Sequence, residues 1–350
     1  MFIALKSNKI TFFGTLAIFV AAAAVLLGII IKPAPNFYCV AETENGQQKK
    51  FIKWVQFKPT YEVLEQALNY DIRSQSKPVK LNWIELLAYA AAKNGGKFSS
   101  KQNADIDKLA RRLQAGESID EITKDMKYYP YYKEAYTAVL GGFVGKYSIE
   151  TDDPQNPGQK KIVEKYGLKV FSPIARGYGF SHSSDFGVKR SYGYSRPHLG
   201  NDMFGSVGTP IIAVETGVVE ELGWNRYGGW RIGIRSLDSK RYYYYAHLRK
   251  GHPYNSDIKI GKQVTAGDVI GYLGMTGYSI KEDVNNMTRP HLHFGMQLIF
   301  DESQKEGNNE IWIDVYSIVK LLQKNRSRVA KDEQTKEYHR VYQMYENNGG

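Results

Sequence analysis

Cysteine is nearly absent from this chain, since Cys39 is the only one among 350 residues. A single cysteine excludes an intrachain disulfide, so the fold must depend on a hydrophobic core or on a bound metal ion. The thiol is predicted to be free, because Tyr38 precedes it where a bacterial lipid-anchor signal has a small residue. Apolar residues make up 42% and charged residues 24% of the chain, which excludes the collagen-like and intrinsically disordered classes.

Long uncharged runs are also rare, and residues 11–31 form the only one. These 21 residues extend about 31 Å as a helix, which matches the roughly 30 Å hydrocarbon core of a bilayer. A cleaved signal peptide is the alternative, with small residues at 21–24, but apolar residues continue for seven further positions. The run predicts an uncleaved single-pass membrane anchor, and Lys6 and Lys9 before it favour a cytoplasmic N-terminus with residues 33–350 outside.

Acidic residues are too few to balance the basic ones, and the formal net charge is +11. This charge favours a location near an anionic polymer or a membrane surface, although a soluble protein with a basic surface is an equally valid interpretation. Nucleic acid also fits the charge. Because Lys and Arg are scattered along the chain and the expected location is extracytoplasmic, no nucleic-acid partner is predicted.

The rest of the chain contains two regions that differ in their pattern of apolar residues. Between residues 60 and 145 apolar residues recur three and four apart, which predicts a small all-α domain and a candidate surface for protein partners. From residue 166 to 325, short apolar runs alternate with glycine turns, which predicts an antiparallel all-β sandwich or half-barrel closed by a C-terminal helix. The remaining segments are predicted as anchor with cytoplasmic tip, two linkers and a charged, solvated tail: 1–32, 33–59, 146–165 and 326–350.

Six of the seven histidines fall in the β-rich part, and four of these, His198, His247, His291 and His293, stand beside distinctive neighbours. His291 and His293 are two apart, so on a strand both imidazoles project from one face. His198 and Asp202 are four apart, with Gly200 between them to allow a tight loop. A hydrolytic zinc site needs three nitrogen or oxygen ligands and one open position. His198, Asp202 and one histidine of the pair meet that count, and His247 remains over together with the other member.

Other polar residues receive a structural interpretation. His182 is expected in a loop, bonded to backbone, and His252 and His339 are expected at the surface. Asp185 and Asp257 have no partner at a fixed spacing and are expected to face solvent. Alternate side chains of the strand around residues 242–245 are expected to enter the core.

Several motifs in order now resemble a known family: HLGND, GTPIIAVETGVV, YYAHL, GKQVTAGDVIGYLGMTG and HLHFG. Over about residues 170–320 the chain is similar to the lysostaphin-type, LytM-like zinc endopeptidases of peptidoglycan, whose fold is the duplicated hybrid motif. The resemblance implies one Zn²⁺ per chain, held by His198, Asp202 and His293. It also implies that His247 and His291 are catalytic, and either can serve as the general base. Peptidoglycan, on the cell-wall side of the membrane, is the implied partner.

The chain departs from the family before its last motif. YSIKEDVNNMTRP, ending in Arg289 and Pro290, precedes His291 where relatives have small residues, and Gly295 stands where many carry Glu. The altered rim argues against pentaglycine bridges and favours direct stem-peptide crosslinks. Two non-catalytic alternatives are a scaffold in a division or sporulation complex and a wall-binding module. Because all five site positions are filled, catalysis is favoured over both.

Overall fold

The fold is that of a computed structural model, which describes residues 37–42, 48–192, 194–307 and 309–346. The predicted anchor at residues 11–31 lies outside the described residues. Within the described part of the chain, no helix is both long enough and apolar enough to cross a bilayer.

The helical region has the helices that the apolar periodicity predicts. Each of the first two begins at a capping side chain: Thr60 accepts a hydrogen bond from the Val63 N–H, and Asn82 accepts one from the Ile84 N–H. The five helices are α1 (Tyr61–Ser74), α2 (Trp83–Lys93), α3 (Gln102–Gln114), α4 (Ile119–Thr123) and α5 (Tyr129–Leu140).

Residues 33–59, predicted as a linker, contain a β-hairpin in their described part. It consists of β1 (Tyr38–Glu42) and β2 (Gln48–Ile52), which pair antiparallel. Phe37 stacks on Tyr131 of α5 with ring centroids 3.7 Å apart, and Ile52 is fully buried. The prediction is wrong because these contacts join residues distant in sequence, which local composition does not reveal.

Residues 146–165, the second predicted linker, are also wrongly assigned. β3 (Val144–Asp152) and β4 (Lys160–Leu168) pair antiparallel across the proline-containing turn. The predicted tail contributes three strands: β16 (Val329–Lys331), β17 (Tyr338–Arg340) and β18 (Met344–Glu346). Since β18 pairs with β3 and buries Met344 against Tyr147, the described part of the tail is an integral part of the fold.

The β-rich region is built around one seven-stranded antiparallel sheet, as predicted. Six strands follow the order β12-β9-β10-β11-β14-β15, and β7 also pairs with β14. A two-stranded sheet of β8 and β13 and a separate hairpin of β5 and β6 accompany it. The bounds are β5 (Lys189–Tyr192), β6 (Tyr194–Pro197), β7 (Asn201–Phe204), β8 (Pro210–Ile212), β9 (Gly217–Asn225), β10 (Gly229–Ser236), β11 (Arg241–Ala246), β12 (Gln263–Val264), β13 (Val269–Tyr272), β14 (His291–Leu298) and β15 (Ile311–Trp312).

One hydrophobic core joins the two regions. It runs without interruption from Trp83 and Tyr136 of the helical region to Phe294 of the sheet. The predicted closing helix, α6 (Tyr316–Leu322), packs against α1. The helices therefore form a layer on the β-rich region, with a shared interior.

Candidate metal centre

Three side chains from separate elements meet at one point. His198 lies in the loop after β6, Asp202 on β7 and His293 on β14. His198 Nε2 is 2.9 Å from Asp202 Oδ1 and 3.0 Å from His293 Nδ1, and the last two atoms are 2.9 Å apart. The three potential ligand atoms thus form a nearly equilateral triangle.

This triangle fits a zinc ion. Zinc bonds to nitrogen and oxygen are about 2.0–2.2 Å, which places neighbouring ligand atoms of a tetrahedral site roughly 3.3 Å apart. Small relaxations of the 2.9–3.0 Å separations reach that value. Two imidazoles and one carboxylate are also the donor set that suits this ion.

Strand register explains why residues so far apart in sequence converge. Asp202 on β7 pairs directly with His293 on β14. Gly200 lies against the His293 ring, where a Cβ would come within 2.6 Å of Nε2 and 2.7 Å of the Phe294 carbonyl oxygen. The glycine predicted for a tight loop is therefore required for close approach of this loop to the imidazole.

His247 and His291 lie beside the triangle, with their ring centroids 4.7 Å apart. The Nδ1–H of His247 donates to the Thr276 carbonyl oxygen at 2.8 Å, and that of His291 donates to the Arg289 carbonyl oxygen at 2.8 Å. These bonds assign the proton to Nδ1 in both rings and leave each Nε2 with a lone pair. His291 Nε2 is 3.9 Å from Asp202 Oδ1.

The protonation states follow from burial and charge. Burial, together with the nearby His291 and His293, lowers the pKa of His247 well below its ordinary value, and burial also lowers the pKa of His291. Burial by itself raises the pKa of Asp202, but hydrogen bonds from His198 and His293 outweigh it and hold that pKa far below its usual range. The site thus combines neutral accessory imidazoles with an ionised carboxylate.

Asp185 and Arg190 belong to the site, although the local sequence does not indicate this. Asp185 was predicted to face solvent, but its Oδ2 accepts a hydrogen bond from Arg190 Nη2 at 2.5 Å and its Oδ1 is 3.3 Å from His198 Nδ1. Arg190 Nη2 also donates to Asp202 Oδ2 at 3.2 Å. The solvent-facing prediction is wrong because the β5–β6 hairpin turns the chain back over these residues, and no fixed spacing signals that turn.

The other histidines divide between two outcomes. His182 Nδ1 is 2.7 Å from the side-chain Oδ1 of Asn201, so its partner is a side chain and the predicted backbone bond is wrong. His252 is 46% exposed, as expected, and its Nε2 lies 2.9 Å from Glu337 Oε1. His339 is also exposed.

The metal centre opens into a groove with a volume of about 770 Å³. Tyr242 and Tyr244 line this groove, whereas Tyr243 and Tyr245 are buried in the core, which confirms the predicted alternation. Aromatic and charged side chains form most of the remaining wall: Arg190, Arg196, Tyr227, Tyr278, Arg289, Lys305, Glu306, Glu310 and Trp312. The volume of the groove and its mixture of aromatic and charged side chains suit an extended peptide.

Comparison with known proteins agrees with this geometry. Residues 196–307 match the model of peptidase family M23. The chain is 43% identical over 117 residues to the L-Ala–D-Glu endopeptidase of Bacillus subtilis (strain 168), covering 33% of this chain and 34% of that protein. It is 40% identical over 115 residues to lysostaphin of Staphylococcus simulans, covering 30% of this chain and 21% of that protein.

Among solved structures, the catalytic domain of the antimicrobial peptidase lysostaphin from Staphylococcus simulans is similar at 32% identity. The match has a TM-score of 0.31 and covers 40% of this chain and 92% of that domain. The chain spans about a third or less of the length of the two curated relatives, so the likeness is confined to one region of each.

Proposed function

We propose that this chain, whose residues 196–307 match peptidase family M23, is a zinc-dependent endopeptidase of peptidoglycan. The observation that carries the proposal is the convergence of His198, Asp202 and His293 on one point at the floor of a groove. Two neutral imidazoles beside that point complete the set of groups that a metallopeptidase needs.

The metal ligands in this proposal are His198 Nε2, one Asp202 oxygen and His293 Nδ1. One Zn²⁺ per chain would supply Lewis-acid activation of a water molecule and of the scissile carbonyl. Asp202 contributes one negative charge, so the centre retains a net positive charge that favours an anionic transition state.

His247 and His291 handle protons. Each ring has its Nδ1–H fixed by a backbone carbonyl, so only Nε2 is free to accept a proton from water. Once protonated, the same nitrogen donates a hydrogen bond to the oxyanion that forms as the peptide carbonyl is attacked. Since the two rings adjoin one another, either can act as the base, and the ring that has taken the water proton is the one able to donate a hydrogen bond to the oxyanion.

The substrate in this proposal is the stem peptide of peptidoglycan or its direct crosslink. Similarity to a relative named for an L-Ala–D-Glu bond supports it. The loop before His291 also supports it, because Arg289 stacks over Phe204 at 4.3 Å and places a guanidinium at the groove rim. A rim with bulky charged groups suits a peptide with polar side chains better than a chain of glycines.

Membrane attachment is part of the same proposal. Residues 11–31 are apolar and uncharged over 21 positions, and they would hold the enzyme on the cell-wall side of the cytoplasmic membrane. In fractionated cells the full chain should sediment with membranes. In intact cells, protease added outside should cleave it. Recovery in the soluble fraction would overturn the attachment and leave the catalytic proposal intact.

The catalytic proposal is tested with purified peptidoglycan. The full chain is incubated with it, with and without a chelator, and new amino termini are identified by mass spectrometry. New termini should appear, disappear with chelator and return when zinc is added. If new amino termini appear equally with and without chelator, or do not appear at all, the scaffold or wall-binding alternative is favoured.

A further inference from the structure

Two guanidinium groups flank one aromatic ring at the groove. The Cζ atoms of Arg196 and Arg226 lie 4.4 and 4.5 Å from the ring centroid of Tyr227. Arg196 Nη2 donates a hydrogen bond to the Tyr278 hydroxyl at 3.0 Å, and its Cζ is 5.4 Å from the Tyr278 ring. Arg196 is thus held in place by aromatic rings, which occupy the faces of the guanidinium and leave part of its N–H edge available.

These two arginines lack a carboxylate partner. Among the described residues, no Asp or Glu oxygen lies within ion-pair distance of Arg196 or Arg226. Three other cations of the groove wall do have partners: Arg190 pairs with Asp185 and Asp202, Arg231 with Glu221, and Lys305 with Glu220. Arg289, which stacks over Phe204, has no carboxylate partner among the described residues either.

The strand pairing makes this lack of a partner more notable. Arg196 on β6 stands directly opposite Arg190 on β5, and like charges in that position destabilise a hairpin. Arg190 is neutralised by two carboxylates, but Arg196 is not. An anion bound at Arg196 would neutralise the one charge of this pair that the described residues leave unbalanced.

The position of Arg196 relates it to the reacting groups. Its cross-strand neighbour Arg190 contacts the metal-ligand candidate Asp202 at 3.2 Å. Its hydrogen-bond partner Tyr278 lies next to His247, with ring centroids 6.2 Å apart. Arg196 is therefore separated by one side chain from Asp202 and by another from His247. A substrate residue next to the scissile bond is within reach of Arg196.

We propose that Arg196, positioned by Tyr227 and Tyr278 and reinforced by Arg226, is a carboxylate-binding subsite. It selects peptide bonds that adjoin a residue with a free carboxylate, such as unamidated D-glutamate in a stem peptide. The planar fork of the guanidinium matches a carboxylate with two parallel hydrogen bonds, whereas a carboxamide offers only one acceptor and no charge. This inference rests on the proposed function and names the substrate class of that site.

The test compares two synthetic stem peptides that differ only in D-glutamate against D-isoglutamine. The zinc-loaded full chain should cleave the acid with a kcat/KM about 10- to 100-fold above that of the amide. In Arg196→Gln this ratio should fall to about one, and in Arg196→Lys it should be intermediate because charge remains without the fork. Arg226→Gln should lower the ratio by a smaller factor. Arg176→Gln is the matched control, since Arg176 is exposed, does not line the groove and should leave the ratio unchanged.

Failure of this inference is distinguishable from failure of the proposed function. Equal cleavage of both peptides by the wild type, or a ratio that persists in Arg196→Gln, overturns the subsite while peptidase activity stands. No zinc-dependent cleavage of either peptide or of whole peptidoglycan overturns the proposed function itself. High salt should reduce the preference for the acid, because the subsite borders solvent.

Discussion

His291 and His293 share one face of β14 but present different nitrogens to the centre. His293 Nδ1 lies 2.9 Å from Asp202 Oδ1, within the ligand triangle. His291 has its Nδ1 committed to the Arg289 carbonyl oxygen, and its Nε2 stands 3.9 Å from the same Asp202 oxygen. The geometry therefore fits the proposed roles, with His293 as a metal ligand and His291 as the group that moves a proton.

This difference predicts different losses in two alanine variants. His293→Ala should lose bound zinc, because two ligands remain. His291→Ala should keep about one zinc per chain and its fold, while kcat falls about 10²- to 10⁴-fold with the loss of a proton-transfer group. Metal content by atomic emission and kcat on peptidoglycan fragments check both. Equal loss of metal in the two variants would show that the pair is wrongly assigned.

Among the secondary-structure elements, the β5–β6 hairpin supports the candidate metal centre. Arg190 on β5 bridges Asp185 and Asp202, and Asp185 in turn lies beside His198. The outer oxygen of one candidate ligand and the outer nitrogen of another are thus held by the same small network. Such outer partners fix the orientation of metal ligands and tune their basicity.

Arg190→Ala should therefore weaken zinc binding by about 10- to 100-fold without unfolding the chain. Lys189→Ala is the matched control, since Lys189 is the exposed neighbour on the same strand and has no contact with the ligands. Competition with a chromophoric chelator measures both affinities. Equal affinities in the two variants would assign the hairpin a role in substrate contact alone.

At the scale of the whole molecule, a buried polar network joins the two regions. Arg241, 1% exposed, donates from Nε to Glu215 Oε2 at 2.8 Å and from Nη1 to the Ala138 carbonyl oxygen of α5 at 2.7 Å. Tyr243 OH donates to the same Glu215 oxygen at 2.6 Å. Because this network lies beside a continuous core, the helical layer and the sheet are expected to unfold together.

Arg241→Ala should lower the free energy of unfolding by about 3–5 kcal/mol, because Glu215 would be left as a buried charge without its cationic partner. Hydrogen exchange, followed separately in α5 and β11, should show protection falling in both elements. Arg176→Ala, at an exposed site, should change stability by less than about 0.5 kcal/mol. Loss of protection in β11 alone would mean that the two regions unfold independently.

Elements with local signals can be predicted from the amino-acid sequence. The apolar period of 3.6 residues predicts the helices, and short apolar runs between glycine turns predict the main strands. In the structure, Thr60 and Asn82 cap the first two helices. The spacing of His291 and His293 on a strand, with His198 and Asp202 four apart, narrows the candidate ligands to four residues, and the family resemblance implies His293 as the third ligand. The structure brings His198, Asp202 and His293 together. These patterns are readable because neighbours in the chain remain neighbours in space.

Features that depend on distant partners cannot be predicted in this way and are seen in the folded chain. The hairpin of β1 and β2, the sheet that joins β18 to β3, and the position of Asp185 beside His198 all rest on contacts across many residues. The orientation of Arg196 between Tyr227 and Tyr278 is of the same kind. Strand pairing and charge pairing bring together segments whose own composition resembles that of a linker or a solvated tail. The structure of such a segment therefore depends on its distant partner and not on its local sequence pattern.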